Sequence, residues 1–168
     1  YKRQTLYWDR SAESTRDKYM GNITNGADLY DFEGYKIYRA TDFEFNDAYN
    51  ITDGDGNPTF LEPYVQNGVR AQWDLVDGKS GWHPVDLNGI KFYLGDDTGL
   101  THSYVDHNVV NGQRYYYAVV SYDYGGDLSN NIIPSDSPMK LRVNPLTGAV
   151  SLGPNVVEVV PSLSLIHI

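Results

Sequence analysis

The chain has no cysteine, two methionines, no excess of basic residues and no long apolar run. Each lack excludes something. Without cysteine there is no disulfide framework and no thiolate metal centre. With 22 acidic against 13 basic residues the formal net charge is −9. Neither nucleic acid nor anionic lipid would find the basic face it requires, so no nucleic-acid partner is expected. No stretch approaches the ~20 apolar residues of a membrane-spanning helix, and no membrane insertion is expected within this chain. No charged start followed by an apolar segment marks a signal peptide. Catalytic signatures are also missing: no Gly-x-Ser-x-Gly elbow, no glycine-rich phosphate loop between strand and helix, and no recognisable paired-acid motif. The expectation is a chain that is not an enzyme, with no catalytic residue to name.

What is present points to strands. Fifteen tyrosines, sixteen glycines and eight prolines in 168 residues favour short extended segments joined by tight turns, in one domain long enough to bury a core. Residues 109–123 say most. The turn pair Asn111-Gly112 runs into a stretch of aromatic, β-branched and small residues. In an extended chain Tyr115, Tyr117, Val119 and Ser121 face one way, and Tyr116, Ala118, Val120 and Tyr122 the other. Both faces are apolar, which predicts a central strand packed on two sides. Further strands are predicted at 5–8, 35–40, 91–94, 102–105, 140–143 and 156–160, separated by Asn-Gly, Asp-Gly and Gly-Gly turns. Residues 11–20 could form a turn or two of helix, with Ser14 and Asp17 at the spacing of a capping box. The fold class expected is all-β.

Residues 43–89 form a long interval between two predicted strands. Phe60, Trp73 and Trp82 within it argue for an ordered elaboration with short strands of its own, such as 71–75, covering one edge or end of the fold. Two candidate sites lie here. Asp53, Asp55 and Asn57 offer oxygen ligands at alternate positions with intervening glycines, as the first half of a calcium loop does. The pattern then breaks at Pro58 and Tyr64, and a polar double turn is the plainer alternative. Trp73 and Trp82, with Phe60, could present an aromatic platform to sugar rings, or fill a small core beneath the insertion. Elsewhere, Asp96-Asp97-Thr98-Gly99 reads as an acidic turn held by its own side chains. His102 and His107 lack an evident third ligand for zinc, and His83 stands alone.

Several phrases carry a resemblance. Gly112-Gln113-Arg114-Tyr115, with Tyr117 and Val119 in alternation, resembles the corner and sixth strand of fibronectin type III domains; Tyr115 fits the tyrosine whose hydroxyl bonds back to the corner. The run from Phe32 to Arg39 looks like strand C, with Tyr35 and Ile37 inward. Leu6 and Trp8 would lie on strand B, Trp8 as the core tryptophan, and Tyr104 on strand E. The phrases at 31–35, 94–100 and 112–119 are similar to modules of large exported proteins of Bacteroidetes-like bacteria. The resemblance implies an antiparallel β-sandwich over 1–161, truncated at its first strand, with 43–89 inserted between strands C and E. The final residues resemble a translated sequencing adapter, so 162–168 are set aside as a non-native tail of a metagenomic fragment.

The function implied is a non-catalytic structural or adhesive module of an extracellular or cell-surface protein. It would act as a spacer with its ends at opposite poles, or as an interaction unit. Its partners would be neighbouring domains of the same chain and a protein or glycan ligand. The alternatives are a carbohydrate-binding accessory module of a secreted polysaccharide-degrading enzyme, and an adhesin domain with calcium as its one cofactor.

Overall fold

The computed structural model describes residues 3–27, 29–48, 50–139 and 141–162. Of the predicted tail at 162–168, residues 163–168 lie outside the described residues. In chain order the strands are β1 (Gln4–Tyr7), β2 (Phe32–Ala40), β3 (Asn50–Thr52), β4 (Pro58–Leu61), β5 (Val65–Gln66), β6 (Val69–Arg70) and β7 (Gln72–Asp74). They continue with β8 (Trp82–Leu87), β9 (Ile90–Tyr93), β10 (Ser103–Asp106), β11 (Tyr115–Asp123), β12 (Leu141–Val143), β13 (Val150–Leu152) and β14 (Val156–Val159). One short helix, α1 (Lys18–Ile23), completes the set, and the protein is all-β.

The centre is an antiparallel sheet in the order β14-β11-β2-β7. β11 lies inside it because both its faces are apolar, and each is covered. On one face Ile37, Tyr115 and Tyr117 pack with Leu6 of β1 and Tyr104 of β10, so the β1–β10 pair sits on the sheet there. On the other, Tyr38, Ala40, Tyr116, Ala118 and Val120 meet Phe45 and Ala48, while Tyr122 meets Phe92 and Leu94. The alternation along β11 therefore sorts its side chains between two cores.

Residues 43–89 do more than cover an edge or end. β7 does extend the edge, pairing Trp73 with Tyr35. Tyr64 and Ala71 pack on the first face, while Phe43, Phe45, Phe60 and Leu61 pack into the clusters of the second. The cause is β11 itself, whose second face is too apolar to leave in water. Gly34 marks the closest approach, since a Cβ there would lie 2.2 Å from the Trp73 carbonyl oxygen.

Two expectations need correction. The predicted helix over 11–20 is instead a 3-10 turn at Ser11–Ser14 followed by α1. Asp17, not Ser14, is the cap: its carboxylate accepts the Met20 N–H at 2.9 Å. α1 runs through Gly21, where Leu29 packs so close that an added Cβ would meet its Cδ1 at 2.7 Å.

The start of β1 and the end of β14 lie at one corner. Gln4 pairs with Asp106, Tyr115 pairs with Val159, and the Gly112 N–H donates to the Pro161 carbonyl at 2.7 Å. β10 ends and β11 begins at one corner. β1 starts, and β14 finishes, beside that same corner because both pairings are antiparallel. Among the described residues no strand pairs with the second edge of β1. A groove of about 800 Å³ opens there, lined by Leu6, Trp8, Tyr117, Val119, Val157 and Val159 among others.

Candidate functional site

The corner is built as its sequence requires. Gly112 has φ +82°, a left-handed conformation that glycine adopts without strain. The turn leads Tyr115 into β11, where its hydroxyl accepts the Val110 N–H at 2.9 Å. Tyr35, Ile37, Tyr115 and Tyr117 are buried, while Val119 and Trp8 are half-buried. The Trp8 ring lies 5.7 Å from Trp73 and 5.9 Å from Tyr35.

Beside the corner sits a residue whose importance was not evident in the sequence. Asp106 is fully buried at the end of β10. Its carboxylate accepts from Arg39 Nη1 at 2.8 Å, the Tyr117 hydroxyl at 2.8 Å, the Tyr64 hydroxyl at 3.2 Å and the Asn108 N–H at 2.9 Å. One acid thus ties β10 to β2, β11 and the insertion.

In the insertion, Asp53, Asp55 and Asn57 share one polar turn, and Trp73 and Trp82 lie apart. Asp53 spends its oxygens on its own turn. Oδ1 accepts the N–H groups of Asp55 at 3.0 Å and Asn57 at 2.9 Å, and Oδ2 accepts Asn57 Nδ2 at 3.2 Å. These contacts hold the Asp53 carboxyl below its usual range. Asp53, Asp55 and Asn57 therefore form a β3–β4 hairpin turn that points N–H donors at the carboxylate, where calcium would need further oxygens. The two tryptophans are not brought together. Trp73 packs in the core against Trp8 and, at 5.4 Å, Tyr104. Trp82, 58% exposed on β8, lies edge-on to Tyr93 at 5.0 Å. Phe60 is packed on Phe92. The reason is strand alternation: Trp73 shares the β1 side of the sheet, while the β8–β9 hairpin crosses the other side.

The histidines and acidic turn have structural partners. His102 Nε2 lies 2.5 Å from Glu13 Oε1, and this contact holds the Glu13 carboxyl below its usual range. His83 is fully buried, with Nε2 2.9 Å from the Gly126 carbonyl and Nδ1 accepting the Val85 N–H at 3.1 Å. It pins the β8–β9 hairpin to residues 124–126. His107 donates its N–H to Gln66 at 2.6 Å. The turn at 96–99 is held from a distance rather than locally: buried Asp74 accepts from the N–H groups of Asp96, Asp97 and Thr98.

Two clusters lie away from the corner. Asp17, Asp31 and Asp123 hold carboxylate oxygens within 4.8 Å of one another, in a groove of about 530 Å³ that Ser135 and Asp136 also line. Burial raises the Asp123 carboxyl, against hydrogen bonds from Ser135. The other cluster is Lys36, Tyr38 and Asp136. Lys36 Nζ is 3.3 Å from Asp136 Oδ1. The Tyr38 hydroxyl donates to Oδ2. Nζ lies 3.7 Å from the Phe92 ring centroid and 5.0 Å from that of Tyr122. A signal existed for this cluster: Lys36 alternates with Tyr38 and Ala40, on the side that an apolar strand had to cover.

No protein-family model, no curated protein and no solved structure matches the chain.

Proposed function

We propose that the chain is a non-catalytic β-sandwich module of fibronectin type III type, serving as an interaction or adhesive unit of a larger extracellular or cell-surface protein. The observation that carries this reading is the corner: Tyr115 begins the interior strand β11 and its hydroxyl accepts from Val110 just upstream. The sheet order β14-β11-β2-β7 under the β1–β10 pair supports the same topology.

Two measurements test this. The chain lacks cysteine, so dyes attached through Gln4→Cys and Val160→Cys report the end-to-end separation cleanly. High energy transfer is expected; a separation of the full strand length would refute this arrangement of β1 and β14. The immobilised module should retain an extracellular protein or polysaccharide without converting it, and turnover of any compound in the panel would refute the non-catalytic reading.

Exposed Trp82 beside Tyr93 favours a second reading, a carbohydrate-binding accessory module with one aromatic face rather than two. It requires that Trp82→Ala abolish polysaccharide retention while melting stays unchanged.

A further inference from the structure

We propose that Lys36 and Asp136 are the two halves of an intramolecular amide crosslink, formed by condensation of the lysine amine with the aspartate carboxyl.

The geometry places the reacting groups together before any reaction. Lys36 projects from β2 onto the face of the sheet that the insertion covers, and its side chain is only 4% exposed. Its nitrogen lies 3.3 Å from Asp136 Oδ1, so the amine is held beside the carboxyl group it would attack. The Phe92 and Tyr122 rings wall the site on the lysine side. Asp136 is reached through the bridge that its segment makes with Tyr122 of β11, so both partners are set by backbone pairing.

The surroundings favour the free amine that condensation needs. Burial pushes the Lys36 amine down, and the Asp136 carboxylate opposes that only in part. Condensation removes both charges from the site, with protons passing from nitrogen to the departing oxygen. The free amine is then a nucleophile. Its nitrogen bonds to Cγ. The Tyr38 hydroxyl, already donating to Oδ2, stabilises negative charge on that oxygen, which becomes the amide carbonyl. Oδ1 leaves as water with two of the three protons of the ammonium, and the third stays on the amide nitrogen. Atoms and charge balance, and no oxidant or other reagent enters. Asp136 is 25% exposed and lines the neighbouring groove, which gives the water a way out.

The Glu62–Arg70 ion pair, at 2.7 Å, lines the same small cavity as Lys36 and bears on it through its field. The bond would close a ring between residues 100 apart in sequence, passing over the central strand β11.

The test is the intact mass of the folded, purified protein. The expected mass is lighter than the sequence requires by one water, with a digest containing a branched peptide that joins the Lys36 and Asp136 segments. Lys36→Arg and Asp136→Ala should each restore the full mass. Asp-Gly pairs, such as Asp53-Gly54 and Asp77-Gly78, can also lose water by closing to a succinimide. That loss would persist in Lys36→Arg, disappear with hydroxylamine and yield no branched peptide. The wild-type measurement does not depend on any variant folding. A full-mass wild type after prolonged incubation near neutral pH, or a water loss that Lys36→Arg leaves intact, overturns the proposal.

Discussion

Raising the pH should destabilise this fold through one buried acid, Glu33. Its side chain is 1% exposed and its Oε1 has no hydrogen-bond partner. Burial, reinforced by Asp77 and Asp74 and opposed by Lys79, moves its carboxyl from an ordinary 4.5 up to about 8. In the unfolded chain the group ionises near the ordinary value, so between these two points the folded state holds a proton that the unfolded state has released. Stability is therefore full below the lower value and falls as pH rises toward the upper one. Each pH unit in that window costs about 1.4 kcal/mol, which sums to roughly 3–5 kcal/mol by pH 8. That is a large share of the ~5–15 kcal/mol that holds a domain together. Glu33→Gln keeps the shape and cannot ionise. Urea unfolding of wild type and variant at about pH 5, 6.5 and 8.5 isolates the effect, because the other titrating groups cancel in the difference. The variant should match the wild type at the lowest pH and exceed it by roughly 3–5 kcal/mol at the highest. A difference that stays flat with pH, or grows in the opposite sense, refutes the assignment.

Asp106→Ala should cost about 3–5 kcal/mol in the same assay, because it strands the Arg39 guanidinium and the buried Tyr117 hydroxyl; a loss below about 1 kcal/mol would mean that water replaces the carboxylate. Tyr115→Phe removes one hydrogen bond to Val110 and should lower stability by about 1 kcal/mol without altering the far-UV spectrum. Asp53→Ala should cost about 1 kcal/mol equally with and without calcium, since its partners are backbone and Asn57 donors. A chelator that lowers the melting temperature of the wild type but not of this variant would restore the calcium loop.

How much was legible in the sequence follows from where each signal resides. β11 could be read because alternation and turn chemistry act over neighbouring residues: Gly112 needs its φ, and Tyr115 to Tyr122 alternate, whatever the rest of the chain does. β1, β2 and β14 were legible for the same reason, to within a few residues. α1 was not, because a six-residue helix owes its place to Asp17 as cap and to Leu29 packing on Gly21, neither of which shows in periodicity. Trp73 and Trp82 looked alike in sequence and differ completely in the fold. β7 pairs with β2 and turns Trp73 inward, while the β8–β9 hairpin crosses the opposite face.

Alternation, turn residues and the absence of cysteine and of basic surface are properties of the linear chain. They settled that this protein is built of strands and excluded thiolate chemistry. Which end the chain enters by, which acids are buried and what Lys36 meets depended on contacts between residues up to 100 positions apart. Those contacts arise when the insertion closes over the second face of β11. Burial then decides whether a carboxylate or an amine keeps its charge, and burial is a property of the packed molecule.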